Sequence, residues 1–239
     1  MCIRIDSYES EEAQKIVRSY LNGRFANTVF CLLSPNGKER LSRSHRSPQH
    51  VFGEDTAGAL GKIASRYPGK GKAAEAAVPD FPNFHLGLNV ASADQRVLVL
   101  VTGKAEEVNQ VRKSLVAVSN DAEVIGRFHF DFETDAKSWN KALTESKEGA
   151  QIMIISPDTY GQTGKVMKSL PLDTNAGDLK KALLEANQNF VKTTKKKNYS
   201  THVSEGRRQG VSWTMPMEFG EDRDGDGKID PRQGGRGRR

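Results

Sequence analysis

Residues with chemical potential are concentrated near the C-terminus. The run Asp222-Arg-Asp224-Gly-Asp226-Gly227-Lys-Ile-Asp230 places carboxylates at every second position and then turns on a glycine. Oxygen-rich spacing of this kind suits a hard cation, and calcium takes about 6–8 oxygen ligands from such a loop. The competing reading is an acidic turn that binds nothing. A second set is soft: Trp213, Met215 and Met217, with His202 upstream. Thioethers and imidazole suit Cu(I), although Val211, Trp213, Met215, Met217 and Phe219 also alternate like one apolar strand that clips the segment down. A third feature is the Gly/Arg ending Gly234-Gly-Arg-Gly-Arg-Arg239, of the sort that contacts single-stranded nucleic acid. No aromatic is interleaved there, and short basic runs are usually solvated, so nucleic acid is not the expected partner.

The acidic run resembles EF-hand and dockerin-type calcium loops. The resemblance makes Asp222, Asp224 and Asp226 positions 1, 3 and 5, with Gly227 at the position 6 turn. Lys228 would offer its carbonyl at position 7, and Asp230 stands at 9. Gln233 occupies position 12 in place of the bidentate glutamate, and Pro231 with Gly234-Gly235 leaves no following helix. The loop is therefore 222–233, inside a basic and largely disordered tail expected over 193–239.

Other reactive types give no constellation. His45, His50, His85 and His129 stand apart, and Ser34, Ser42 and Ser156 lack a His/Asp pattern. Gly69-Lys-Gly-Lys72 has neither the spacing nor the preceding strand of a phosphate-binding loop.

The elements that would carry these residues divide in two. Residues 1–65 read as strand (2–6), amphipathic helix (10–21), buried strand (28–33), a Pro-Asn-Gly turn, edge strand (40–43) and a helix opened by Ser47-Pro48. Residues 66–83, rich in Pro and Gly, read as a linker. Residues 84–192 read as helix, buried strand (96–102), helix (105–120), Phe-faced strand (126–132), helix (135–145), buried strand (151–155), edge strand (165–170) and helix (178–191). That order implies an α/β fold: a mixed sheet flanked by helices.

Both stretches resemble thioredoxin-like domains. The first, through Asn27-Thr-Val-Phe-Cys-Leu-Leu-Ser-Pro-Asn-Gly-Lys38, is similar to a C-terminal half only. The second is similar over its whole length. The family's Cys-x-x-Cys would follow the 96–102 strand, at a helix N-terminus where the dipole lowers a thiol pKa. This chain has Thr102-Gly-Lys-Ala-Glu-Glu-Val108 instead, and no proline precedes Gln151. The resemblance thus implies a redox-inactive scaffold for protein interaction, with a calcium-binding tail. The alternatives are the trailing part of a thiol–disulfide oxidoreductase whose Cys-x-x-Cys lies upstream of Met1, and a copper-handling protein. Met1-Cys-Ile-Arg-Ile-Asp6 starts like a strand entered midway, as a chain lacking its true N-terminus would.

Composition sets the remaining bounds. Hydrophobic residues are 36% and charged residues 28% of 239, enough for one large or two small domains. No apolar run approaches the ~20 residues of a membrane span, and no secretory leader precedes the first strand. Cys2 and Cys31 are too few for a disulfide framework. From Lys192 to Arg239 there are 12 Lys/Arg and 7 Asp/Glu, so the tail holds +5 of the chain's +6. Calcium loops of millimolar affinity belong mainly to extracellular modules, which points to a periplasmic or secreted parent.

Overall fold

The computed structural model describes residues 5–67, 77–146, 149–212 and 215–230. It divides into two compact units: Met1–Lys72 with Trp213–Arg239, and Ala73–Ser212.

In the first unit, Ser10 caps α1 (Glu11–Tyr20) by accepting from the Ala13 amide, with Glu11 and Glu12 in the first turn where the helix dipole favours them. The face that packs inward is turned from the expected stripe: Gln14 is buried and Ile16 exposed. Residues 28–33 do not form the expected buried strand. Two isolated antiparallel bridges, Phe30 with His45 and Leu33 with Arg40, hold a twisted hairpin. One reason is local: Leu32 N–H donates to the Ser42 hydroxyl (2.8 Å), not to a strand carbonyl. The Pro-Asn-Gly turn is as expected, with Gly37 at φ 71°. Two short helices follow, α2 (Pro48–Phe52) and α3 (Thr56–Ala64).

The second unit is a mixed α/β domain. Its elements are α4 (Phe84–Asp94), β1 (Val97–Thr102), α5 (Ala105–Ser119), β2 (Phe128–Glu133), β3 (Leu143–Thr144), β4 (Gln151–Pro157), β5 (Gly164–Leu170), α6 (Ala176–Thr193) and α7 (Tyr199–Arg208). The sheet order is β2-β1-β4-β5-β3. β1 runs parallel to β2, as a crossover through α5 requires, and β4 runs antiparallel to both β1 and β5. β1 is buried along its whole length because both faces are covered. Val97, Val99 and Val101 meet α5 and α6 through Val111, Leu115, Leu183 and Phe190. Leu98 and Leu100 meet α4 and Trp139 on the other face.

Three expectations need correction here. The helix expected over 135–145 is a single 3-10 turn, Ala136–Ser138. Asp135 accepts from the Lys137 amide and the Ser138 hydroxyl donates to the Asp135 carbonyl, local bonds that compete with an α-helix. β5 keeps its expected edge position from Val166 to Leu170, with the two-residue β3 pairing only Gly164 and Lys165 at its start. The stretch read as linker contributes Val78 to the core, while 68–76 lie outside the described residues. Finally, residues 199–208 of the supposed tail are helical. Their approach is fixed at the C-terminal end of α4: Lys197 Nζ donates to the Ser92 carbonyl (2.6 Å) and the Tyr199 hydroxyl donates to the Ala93 carbonyl, satisfying carbonyls that a helix end leaves orphaned.

Gly161 shows how tightly α4 is docked. It sits at φ 69°, and a Cβ there would lie 2.6 Å from the Asn89 Cα. Gly161→Ala is expected to cost about 2–4 kcal/mol, from left-handed backbone and overpacking together. A urea midpoint within error of wild type would show that the loop does not press on α4.

No helix among the described residues is long and apolar enough to cross a membrane.

Candidate metal centre

The acidic loop is built into the first unit. Phe25 and Asp222 exchange reciprocal backbone hydrogen bonds (3.2 and 2.9 Å), and the Tyr8 hydroxyl donates to the Gly220 carbonyl (2.7 Å). Around that bridge, Tyr8 meets Phe25 edge-on at 5.6 Å and Phe219 at 5.2 Å. Gly220 and Asp230 close the loop: a Cβ on Gly220 would lie 2.1 Å from Ile229 Cγ2, and Asp230 N–H donates to the Glu221 carbonyl (2.8 Å).

Within the loop, aspartate side chains organise successive amides. Asp222 accepts from Gly225 (2.8 Å) and Gly227 (3.2 Å), Asp224 from Asp226 (3.0 Å), and Asp226 from Lys228 (2.8 Å). Gly225 and Gly227 take positive φ, 85° and 91°, which lets the chain wrap around its own carboxylates. As a result, oxygens of Asp222, Asp224 and Asp226 all lie within 4.8 Å of one another. This is the one such group of His, Cys, Asp or Glu side chains among the described residues. Asp222 is 1% exposed, while the other two reach solvent. Asp230 stands outside the trio and accepts from the Arg223 amide (2.7 Å). Gln233 lies outside the described residues.

Sequence reasoning missed the residue that most shapes this site. Arg18 of α1, 204 positions away, donates Nη1 to Asp222 Oδ2 in an ion pair, and the same nitrogen reaches the Gly23 carbonyl (3.1 Å). Its guanidinium lies 5.4 Å from the Phe25 ring centroid. Burial alone would raise the Asp222 pKa. Arg18 and the Gly225 and Gly227 amides overcome that and hold it below the ordinary carboxylate range. Glu221 is lowered likewise: burial is outweighed by the Asn27 amide, Arg46 and Arg223. An arginine at i+4 from Gln14 carries no local signal that its partner lies near the other end of the chain.

The soft-ligand residues are used differently. Met217 N–H donates to the Tyr8 carbonyl (3.1 Å), but residues 215–219 form no strand and Phe219 is exposed. Trp213 lies outside the described residues. His202, in the second unit, stacks on Tyr160 at 4.7 Å.

At the position after β1, the Thr102 hydroxyl donates to the Gly149 carbonyl (2.8 Å). Lys104 N–H donates to Glu107 Oε2 (2.9 Å), half of a capping box. A Cβ on Gly103 would stand 3.1 Å from Glu107 Oε2 and 3.3 Å from the Ala150 Cβ. Cys31 is half-buried and burial pushes its thiol pKa up, the opposite of activation. Cys2 lies outside the described residues.

One further acid was invisible in the alternation of β2. Asp131 is 0% exposed and its carboxyl lies beneath Gly87 of α4, where neither oxygen makes a hydrogen bond of good geometry, although the Asp80 carboxyl and the Phe132 amide stand close enough to act on it. Burial first, then the charges of Glu133 and Asp80, push its pKa up to about 8. Asp80 in turn is ion-paired with Arg112, whose guanidinium stacks 4.1 Å from the Phe132 ring.

No protein-family model matches this chain, and no curated protein matches it.

Proposed function

We propose that the chain is a non-catalytic, thioredoxin-like interaction protein that carries a calcium-binding loop. The strand arrangement supports the first half. Four strands, β2-β1-β4-β5, hold β4 antiparallel to the other three, with a β-α-β unit followed by a hairpin and a helix. α5 and α6 share one face of the sheet. That arrangement supports a thioredoxin-like reading by fold-level analogy, with a 3-10 turn and the short β3 standing in the β2–β4 connection where the expected helix would be. Thiol exchange needs a thiolate at the N-terminus of α5, where this chain has Gly103, Lys104 and Ala105. What the scaffold retains is surface: a groove of about 530 Å³ between α5 and the start of α6, floored by Val111, Leu115 and Leu179 and rimmed by Glu107, Asp173 and Asn175. Its exposed rim, Glu107, Asp173 and Asn175, is the surface a polypeptide partner would meet.

The clustered oxygens of Asp222, Asp224 and Asp226 carry the second half. The donor set is all oxygen, which favours calcium over softer ions. On this reading the protein works outside the cytoplasm, where calcium is abundant enough to fill a weak loop.

Two measurements test it. The purified chain is expected to add nothing to dithiothreitol-driven insulin reduction, and thiol-dependent turnover would end the interaction-protein reading. Calorimetric titration is expected to find one calcium per chain with a Kd between about 10⁻⁵ and 10⁻³ M, lost in Asp224→Ala. Equal heats from wild type and variant would remove the calcium assignment.

A further inference from the structure

In the second unit, the segment ahead of α4 is held by side chains alone. β2 is the outermost strand of the sheet, and residues 78–83 wrap its open edge. Val78 is 3% exposed and belongs to the core under α5 and α6. By Phe81 the segment has crossed to the α4 face. There the Phe81 ring meets His129 edge-on at 5.6 Å, and its Cδ2 would lie 3.1 Å from a Cβ on Gly87. The Asp131 Cγ lies 3.6 Å from that same point, so Phe81 and the buried carboxyl share the space beneath Gly87. Between Val78 and Phe81, Asp80 is ion-paired with Arg112 of α5. Among the described residues, no backbone hydrogen bond ties 78–82 to another element.

We propose that Asp131, Asp80 and Arg112 form a proton-operated latch: the protonated Asp131 carboxyl keeps residues 78–83 closed over the edge of β2, and its ionisation releases them. With Asp131 neutral, the carboxylates acting on this corner are Asp80 and Glu133, and Arg112 is already taken by Asp80. Loss of the proton to solvent adds a negative charge where burial denies it water. The surrounding elements bring no compensating cation. His85 of α4 and Lys113 of α5 are exposed, Asp94 of α4 is bonded to His129 Nε2 (3.0 Å), and Asp131 stands opposite Leu100 of β1. α4 is anchored in the core by Phe84, Leu88 and Ala91, and β2 by its ladder with β1. The segment hangs on Val78, Phe81 and one ion pair, so it is the part that yields. Its departure separates Asp80 from Asp131 and lets water reach the new charge. Burial first, then Glu133 and Asp80, hold the closed-state carboxyl up to about 8. Closure is therefore complete below the ordinary carboxylate pKa and is lost as pH rises towards the closed-state value.

The test is fluorine NMR on the full chain with 4-fluorophenylalanine at its 10 phenylalanines, the Phe81 signal being assigned through Phe81→Leu. The ratio of a solvent-like Phe81 signal to the closed one is expected to rise by up to about tenfold per pH unit. It should level off once pH passes the closed-state value of about 8. Asp131→Asn keeps the shape and cannot ionise, so its Phe81 signal should stay closed across the same range. Arg112→Gln removes the hook but not the proton: it should raise the ratio about threefold at every pH and leave the slope unchanged. Hydrogen exchange of the β1 amides separates release of the segment from unfolding of the unit, because these amides should stay protected while the Phe81 signal moves. The latch is overturned by a wild-type Phe81 signal that does not change between about pH 6 and about pH 9.5, by the same response in Asp131→Asn, or by β1 amides that lose protection together with it.

Discussion

Asp131→Asn is expected to make the second unit more stable than wild type near pH 9, by an amount on the order of a few kcal/mol, and nearly equal to it near pH 4. The native carboxyl titrates at about 8, raised chiefly by burial, whereas in the unfolded chain it titrates near 3.9. Between those values the native state keeps a proton that the unfolded state has released. Each pH unit in that window therefore costs about 1.4 kcal/mol at the limit. The sign follows: the contribution of Asp131 is most favourable below the unfolded pKa and is lost as pH rises towards the native value. Asn keeps the shape and removes the titration. Urea unfolding followed by Trp139 fluorescence in a Trp213→Phe background isolates this unit, because Trp139 is buried in the core beside α4. Other carboxylates contribute a pH dependence common to both proteins, so the difference between them is the quantity to read. A difference that stays constant from acid to alkaline pH would show that Asp131 ionises normally and that solvent reaches it.

That prediction could not have been made from sequence. In Phe128-His-Phe-Asp-Phe-Glu133 the alternation assigns Asp131 to a solvent face, and one side of β2 does bury Phe128 and Phe130 against α5. The other side is covered by α4, which approaches closely because residue 87 is glycine. Periodicity records which residues share a face, but not whether a distant helix closes it. The same distinction explains what was legible. β1, β4, α5 and α6 read correctly because their apolar runs and 3.6-residue stripes are long and their caps are local. The 28–33 segment was overread because apolar content alone does not provide a partner strand. The hairpin there pairs at two isolated points. At the acidic loop, spacing gave the three carboxylates that the fold brings together, while the ion pair from α1 depends on chain packing over 204 residues.

Arg18→Ala should sharpen the calcium response of the loop. In the native protein the guanidinium already supplies positive charge to Asp222, whose side chain is fully buried. A calcium ion using the same oxygen must displace it, so wild type is expected to bind weakly. Removing Arg18 leaves a buried carboxylate with amide donors but no cation. Breaking a buried pair in this way costs about 3–5 kcal/mol, and the partial exposure of Arg18 places this case at the lower end. The first unit should therefore loosen without calcium. With calcium at about a hundred times Kd it should recover roughly 2.7 kcal/mol. The local probe is hydrogen exchange at the Phe25 and Asp222 amides, which bond each other's carbonyls. Both should exchange faster in the calcium-free variant and slow again when the ion is added. Asp222→Asn should lose the pair and the response together. The lowered Asp222 pKa sets the pH range: the pair's stabilisation is complete above the ordinary carboxylate value and disappears as pH falls through the lower native one. If Arg18→Ala binds calcium no more tightly than wild type, the guanidinium and the ion do not share Asp222, and the loop is an ion-paired turn that needs no metal.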